Sequence, residues 1–184
     1  MIEHEIVKAV VSEMKNCFGK DNEHFSKTRD IFATRIQSYT LETGKYLEAA
    51  IIGEIGNNTF DHNFVFENNY PRGVYCNLLY REKYIVLADY GKGVKQSLLP
   101  VLPSITSDTE AIEIAFTKRI SGRSPENRGN GLKFVSENIQ QNNWHLYFQS
   151  GSGCCSIDNT GLAIYENEIP LLGCLVIIMF NGGK

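Results

Sequence analysis

Val74-Tyr75-Cys76-Asn77-Leu78-Leu79-Tyr80, then Arg81-Glu82-Lys83, then Tyr84-Ile85-Val86-Leu87-Ala88 is the stretch that decides the fold. The two outer runs are apolar and aromatic. Only three charged residues separate them, so they are predicted to pair as an antiparallel hairpin. Such a hairpin breaks the strict β-α-β alternation of a Rossmann domain. Upstream, Asn68-Asn69-Tyr70-Pro71-Arg72-Gly73 is a turn cluster. Before it a long helix runs from the Thr43-Gly44 break to about His62, with the seam Ile51, Ile55 and Thr59. Two further helices are expected at residues 2–17 and 26–40. Their inward positions are Ile6, Val7, Val10, Val11 and Met14, then Ile31, Phe32, Arg35, Ile36 and Tyr39.

Downstream of the hairpin, residues 94–128 are poor in strand signals and rich in Ser, Thr, Pro and Arg, with a short helix expected around Thr109–Thr117. Residues 100–128 are expected to be mobile or oddly packed. A helix should start near Gly131 and end near Gln140. Strands follow at Trp144–Gln149, Cys154–Ile157, Leu162–Tyr165 and Leu171–Phe180. Short connections between strands favour antiparallel pairing. The expected class is therefore α/β, a two-layer sandwich of a mixed, largely antiparallel sheet with helices on one face. Residues 1–42 read as an N-terminal helical extension and 43–184 as the main domain. The extension's apolar seams should cover the open side of the sheet, the alternative being a homodimer.

Composition narrows the function. A chain of 184 residues is one domain with room for a small appendage. Hydrophobic residues make up 42% and charged residues 21%, a globular mix. Lys plus Arg is 18 against 21 Asp plus Glu, a net charge of −3, which disfavours a nucleic-acid partner. No apolar run reaches the ~18–20 residues that span a bilayer, and Leu171–Phe180 reads as a buried strand. Met1-Ile2-Glu3-His4-Glu5 lacks the features of a secretion signal, so the expected location is cytoplasmic. The five cysteines are odd in number and form no C-x-x-C, which predicts buried reduced thiols rather than disulfides or a zinc site. The histidines form no H-E-x-x-H.

Three motifs carry chemistry. In Glu54-x-x-x-Asn58-x-x-x-His62, spacings of four set the side chains along one helical strip beside the buried seam. A carboxylate there can take a proton from water or a hydroxyl, and an amide oxygen can complete the shell of a phosphate-bound Mg²⁺. Asp89-x-Gly91-x-Gly93 follows a strand. It pairs an acidic acceptor, suited to an exocyclic amine such as that of adenine, with glycines that admit a ligand close to the backbone. Arg128-Gly129-Asn130-Gly131-Leu132 opens a helix and exposes backbone N–H groups to an anion. Lys118, Arg119 and Arg123 lie just upstream as further phosphate-gripping cations. The phosphate loop G-x-x-x-x-G-K-[ST] is absent, and Gln96 and Phe134 stand where a third glycine would complete G-x-G-x-x-G.

This order of motifs resembles the GHKL ATPase superfamily over roughly residues 43–180, with the small serine kinases that act as anti-sigma factors as the nearest subgroup. The resemblance implies the Bergerat-type ATP-binding fold, ATP and Mg²⁺ as cofactors, and residues 94–128 as an ATP lid. It implies Glu54 as general base and Asn58 as Mg²⁺ ligand. It also implies Asp89 as the adenine acceptor, Gly91, Gly93, Gly129 and Gly131 as nucleotide-admitting positions, and Asn130 and Leu132 as part of the last box. Arg128 would contact phosphate. An unidentified protein, a regulator or phospho-acceptor, is the implied partner, with phosphoryl transfer to its serine or threonine. Two alternatives stand beside this: an ATP-gated interaction module with little turnover, and a truncated histidine kinase, since His4-Glu5-Ile6 resembles a phospho-acceptor box on a helical hairpin. The chain departs from the pattern at Cys174, where the family often has threonine after glycine, and at Asn63, where the small kinases usually have glycine. The Cys174 departure removes a hydroxyl expected near Asp89.

Overall fold

The hairpin forms as the sequence dictates: β2 (Val74–Tyr80) and β3 (Tyr84–Asp89) pair antiparallel, with Tyr75 opposite Ala88. The turn between them places Arg81 and Glu82 at φ of 48° and 58°, and a left-handed turn of this kind matches the twist of paired strands. The computed structural model describes residues 4–17, 23–62, 72–118 and 131–180. Among these, the remaining elements are α1 (His4–Cys17), β1 (Phe25–Ser26), α2 (Arg29–Thr43), α3 (Tyr46–His62), α4 (Gly93–Leu98), α5 (Asp108–Thr117), α6 (Gly131–Gln141), β4 (His145–Asp158) and β5 (Gly161–Met179). The strands form one sheet in the order β1-β2-β3-β5-β4, antiparallel at every pairing. The fold is an α/β sandwich.

Strand alternation sorts the sheet's two faces. Val74, Cys76, Ile85, Leu87, Leu146, Phe148, Val176 and Ile178 meet α2, α3, α5 and α6 through Phe32, Ile51, Ile52, Ile55, Ile112, Phe116, Val135 and Ile139. Tyr75, Val86, Tyr147, Leu175 and Ile177 point the other way. They are covered by Ile6, Val7, Val10 and Met14 of α1. Covering of the open side by the first helix is thus as expected. The second helix differs: α2 joins the opposite layer, where a Cβ on Gly56 of α3 would overlap the Phe32 ring. Among the described residues, α1 and α2 thus pack on opposite faces of the sheet.

Three boundaries also differ from expectation. The second helix starts at Arg29 rather than 26, because Thr28 caps it by accepting from the Ile31 N–H and residues 25–26 are taken by β1. It ends at Gly44, whose φ of +70° closes the C-terminus. The four C-terminal strand segments merge into β4 and β5. A straight strand of 14 residues would separate its ends by about 40 Å. Yet His145 Nδ1 lies 4.0 Å from Asp158 Oδ2, so β4 doubles back, at Gly151–Gly153 where its register with β5 shifts. Those breaks coincide with the gaps between the predicted segments.

The insert after β3 is more ordered than its composition suggests. α4 was not anticipated. Leu98, Ile105, Ala111 and Ile114 close a small core of their own. Ser107 caps α5 by accepting from the Glu110 N–H at 3.0 Å, and Glu110 in turn accepts from the Thr106 N–H at 2.8 Å. Asp108 Oδ2 accepts from Ser152 N–H at 3.0 Å, tying α5 to β4. Residues 100–118 are therefore anchored, contrary to expectation; 119–130 lie outside the described residues. No described helix is long and apolar enough to cross a membrane.

Candidate functional site

The strand alternation that puts Ile85 and Leu87 against the helical layer also aims Asp89, two residues on, at α3. In α3, Ile51 and Ile55 face the sheet. Thr59, one turn further, meets the end of β3, where its hydroxyl donates to Asp89 Oδ2 at 2.9 Å. The Gly91 N–H donates to Asp89 Oδ1 at 2.8 Å. Asp89 is 2% exposed, so these two donors fix the carboxylate's orientation inside the protein. Thr59 was read only as part of the apolar seam, although a hydroxyl in a buried seam demands a partner.

Glu54 and Asn58 lie on the same helix, beside the buried stripe. Glu54 is exposed and Asn58 half-buried. Both converge on the first residue of α6. A Cβ on Gly131 would lie 2.6 Å from Glu54 Oε2 and 3.8 Å from Asn58 Nδ2. Glycine at 131 thus lets the start of a helix approach a carboxylate and an amide side by side. Since Asn58 and Thr59 are consecutive, this cluster adjoins the Thr59–Asp89 pair.

Behind Asp89, β3 pairs with β5 so that Asp89 stands opposite Cys174. Gly173 has φ of +84°, and a Cβ there would overlap the Asp89 carbonyl oxygen. Only glycine permits this approach. Gly93, also left-handed at φ of +75°, turns its vacant side toward Ser150, whose Oγ would lie 2.7 Å from an added Cβ. Glycine at 93 therefore serves contact within the protein.

The other expected site residues divide. Leu132 packs its side chain against the main core rather than lining the cluster. Lys118 is exposed just after α5. Arg119, Arg123, Arg128, Gly129 and Asn130, with the side chain of His62, lie outside the described residues. The cysteines at 76, 154, 155 and 174 are buried thiols. Burial pushes Cys76 up to about 12 and raises Cys154 and Cys155 as well, so these three are poor nucleophiles.

Glu54 and Asn58 bring a carboxylate and a side-chain amide, hard ligands, to the start of α6, and no group of three or more His, Cys, Asp or Glu able to hold a metal by itself occurs among the described residues. That chemistry fits Mg²⁺ shared with phosphate oxygens, and does not fit a soft metal. No protein-family model matches the chain, and no curated protein matches it.

Proposed function

We propose that this chain is a Mg-ATP-binding domain of the GHKL type that transfers a phosphoryl group to a serine or threonine of a cytoplasmic protein partner. The observation that carries the reading is the convergence of Glu54 and Asn58 on Gly131, next to the Thr59–Asp89 pair. Asp89 accepts a hydrogen bond from the exocyclic amine of adenine. Thr59 and the Gly91 N–H hold its carboxylate at the required angle. The start of α6 at Gly131 receives phosphate through backbone N–H groups. Lys118, Arg119, Arg123 and Arg128 add positive charge along the phosphates. Asn58 contributes its amide oxygen to Mg²⁺, which when bound neutralises charge on the phosphate oxygens. Glu54 takes the proton from the attacking hydroxyl. Its exposure suits that task, since the acceptor arrives from solvent on another macromolecule.

Glu54→Ala tests the assignment. Mg-ATP binding by calorimetry should stay within about twofold, while transfer of ³²P from ATP falls by about 10²–10⁴. Unchanged transfer would remove the base role from Glu54. Tight ATP binding by the wild-type chain with no transfer would instead support the ATP-gated module.

A further inference from the structure

Ser150 has no part in any motif, yet it joins the start of α4 to β5 behind the proposed base site. It ends the inward series Leu146, Phe148, Ser150 on β4, a polar residue at a buried position with only 3% exposure. Its Oγ accepts from the Val94 N–H at 3.0 Å and donates to the Gly173 carbonyl at 3.0 Å. The Cys174 thiol approaches the same oxygen at 3.6 Å. A hydroxyl has one donor and two acceptor sites. All are used here, on two pieces of chain: the start of α4 at Val94, and β5 at the left-handed Gly173 and at Cys174 opposite Asp89. The loop from Asp89 to Val94 is thus pinned at both ends. The Asp89 carboxylate holds it through Gly91 N–H, and Ser150 holds it through Val94 N–H. Gly93, between them, closes onto Ser150 because it lacks a side chain.

From this we infer that Ser150 is a positioning residue for base selection. It sets the glycine loop and Gly173 against Asp89, and so fixes where the carboxylate meets a purine edge. This rests on the nucleotide reading above. A carboxylate acceptor at that edge matches the amine of adenine and opposes the carbonyl of guanine, so its placement is read in the ATP to GTP preference. A residue that only stabilised the fold would change both affinities together.

The experiment compares Kd for Mg-ATP and Mg-GTP by calorimetry in the wild-type chain and in Ser150→Ala. The wild type should prefer ATP. The variant should lose that preference by about tenfold, the effect of one misplaced buried hydrogen bond, through weaker ATP binding at nearly constant GTP affinity. Where alanine prevents folding, Ser150→Cys fills the space with a weak donor and acceptor, and a fall of roughly threefold or more is expected. A wild type that binds no nucleotide, or shows no ATP preference, overturns the underlying reading. A wild type that prefers ATP, with the preference intact in the variants, overturns the role of Ser150 alone.

Discussion

Replacing Asp89 with asparagine is expected to weaken Mg-ATP binding by about 10–100-fold while leaving the fold in place. The structure says why the two effects separate. An asparagine can turn its amide oxygen to the Gly91 N–H and its NH₂ to Thr59, whose hydroxyl rotates to accept. The internal hydrogen bonds survive. What is lost is a charged acceptor facing the base, and a hydrogen bond to a charged group is worth about 1.5–3 kcal/mol. Calorimetry on both chains reads the difference. Equal affinities would show that Asp89 does not meet the nucleotide.

The largest stability effect is expected at Gly173. Alanine there must adopt φ of +84°, and its Cβ would overlap the Asp89 carbonyl oxygen and lie 2.9 Å from Oδ1. The carbonyl cannot yield, because Asp89 is held in the β3–β5 pairing opposite Cys174, and the Gly91 N–H holds Oδ1. The cost should be about 3–5 kcal/mol, in the range reserved for backbone strain and core overlap. For a chain of this size that lowers Tm by about 10 °C. Gly53 is the control. It lies inside α3 with nothing within 4 Å of an added Cβ, so Gly53→Ala should be neutral or stabilising by up to about 1 kcal/mol. A Gly173→Ala chain that melts within 2–3 °C of wild type, roughly a 1 kcal/mol change, would mean that β5 does not press on Asp89 as described.

Much of this architecture could be read from residues in sequence. The bounds of β2 and β3 follow from two apolar runs around three charges, and the start of α6 follows from its glycines. The strip Glu54–Asn58 was legible because helical spacing is a local property. What escaped depends on where the chain goes afterwards. The apolar face of α2 has the same character whether it covers one side of the sheet or the other; the vacancy at Gly56 that receives Phe32 is a property of the partner helix. Four short strands and two doubled-back strands have the same alternation, and the reversal near Gly151 shows only in the approach of His145 to Asp158. Thr59 and Ser150 look like ordinary polar residues in apolar runs. Their partners, Asp89 and the loop at Val94, are 30 and 56 residues away in the chain. The packing of Ser150 beside Gly93 is likewise invisible locally, because it depends on where β4 lies.

The central claim is that a purine nucleotide with Mg²⁺ sits against Asp89 and Gly131. Thermal unfolding of the wild-type chain with and without Mg-ATP tests it most directly. A ligand at about 100 times its Kd stabilises the native state by about 2.7 kcal/mol. At this chain length that raises Tm by about 5–10 °C. A shift of that size, cut to about 1–5 °C in Asp89→Asn at the same ATP concentration, is the predicted result. No shift in the wild-type chain at millimolar Mg-ATP would contradict the account.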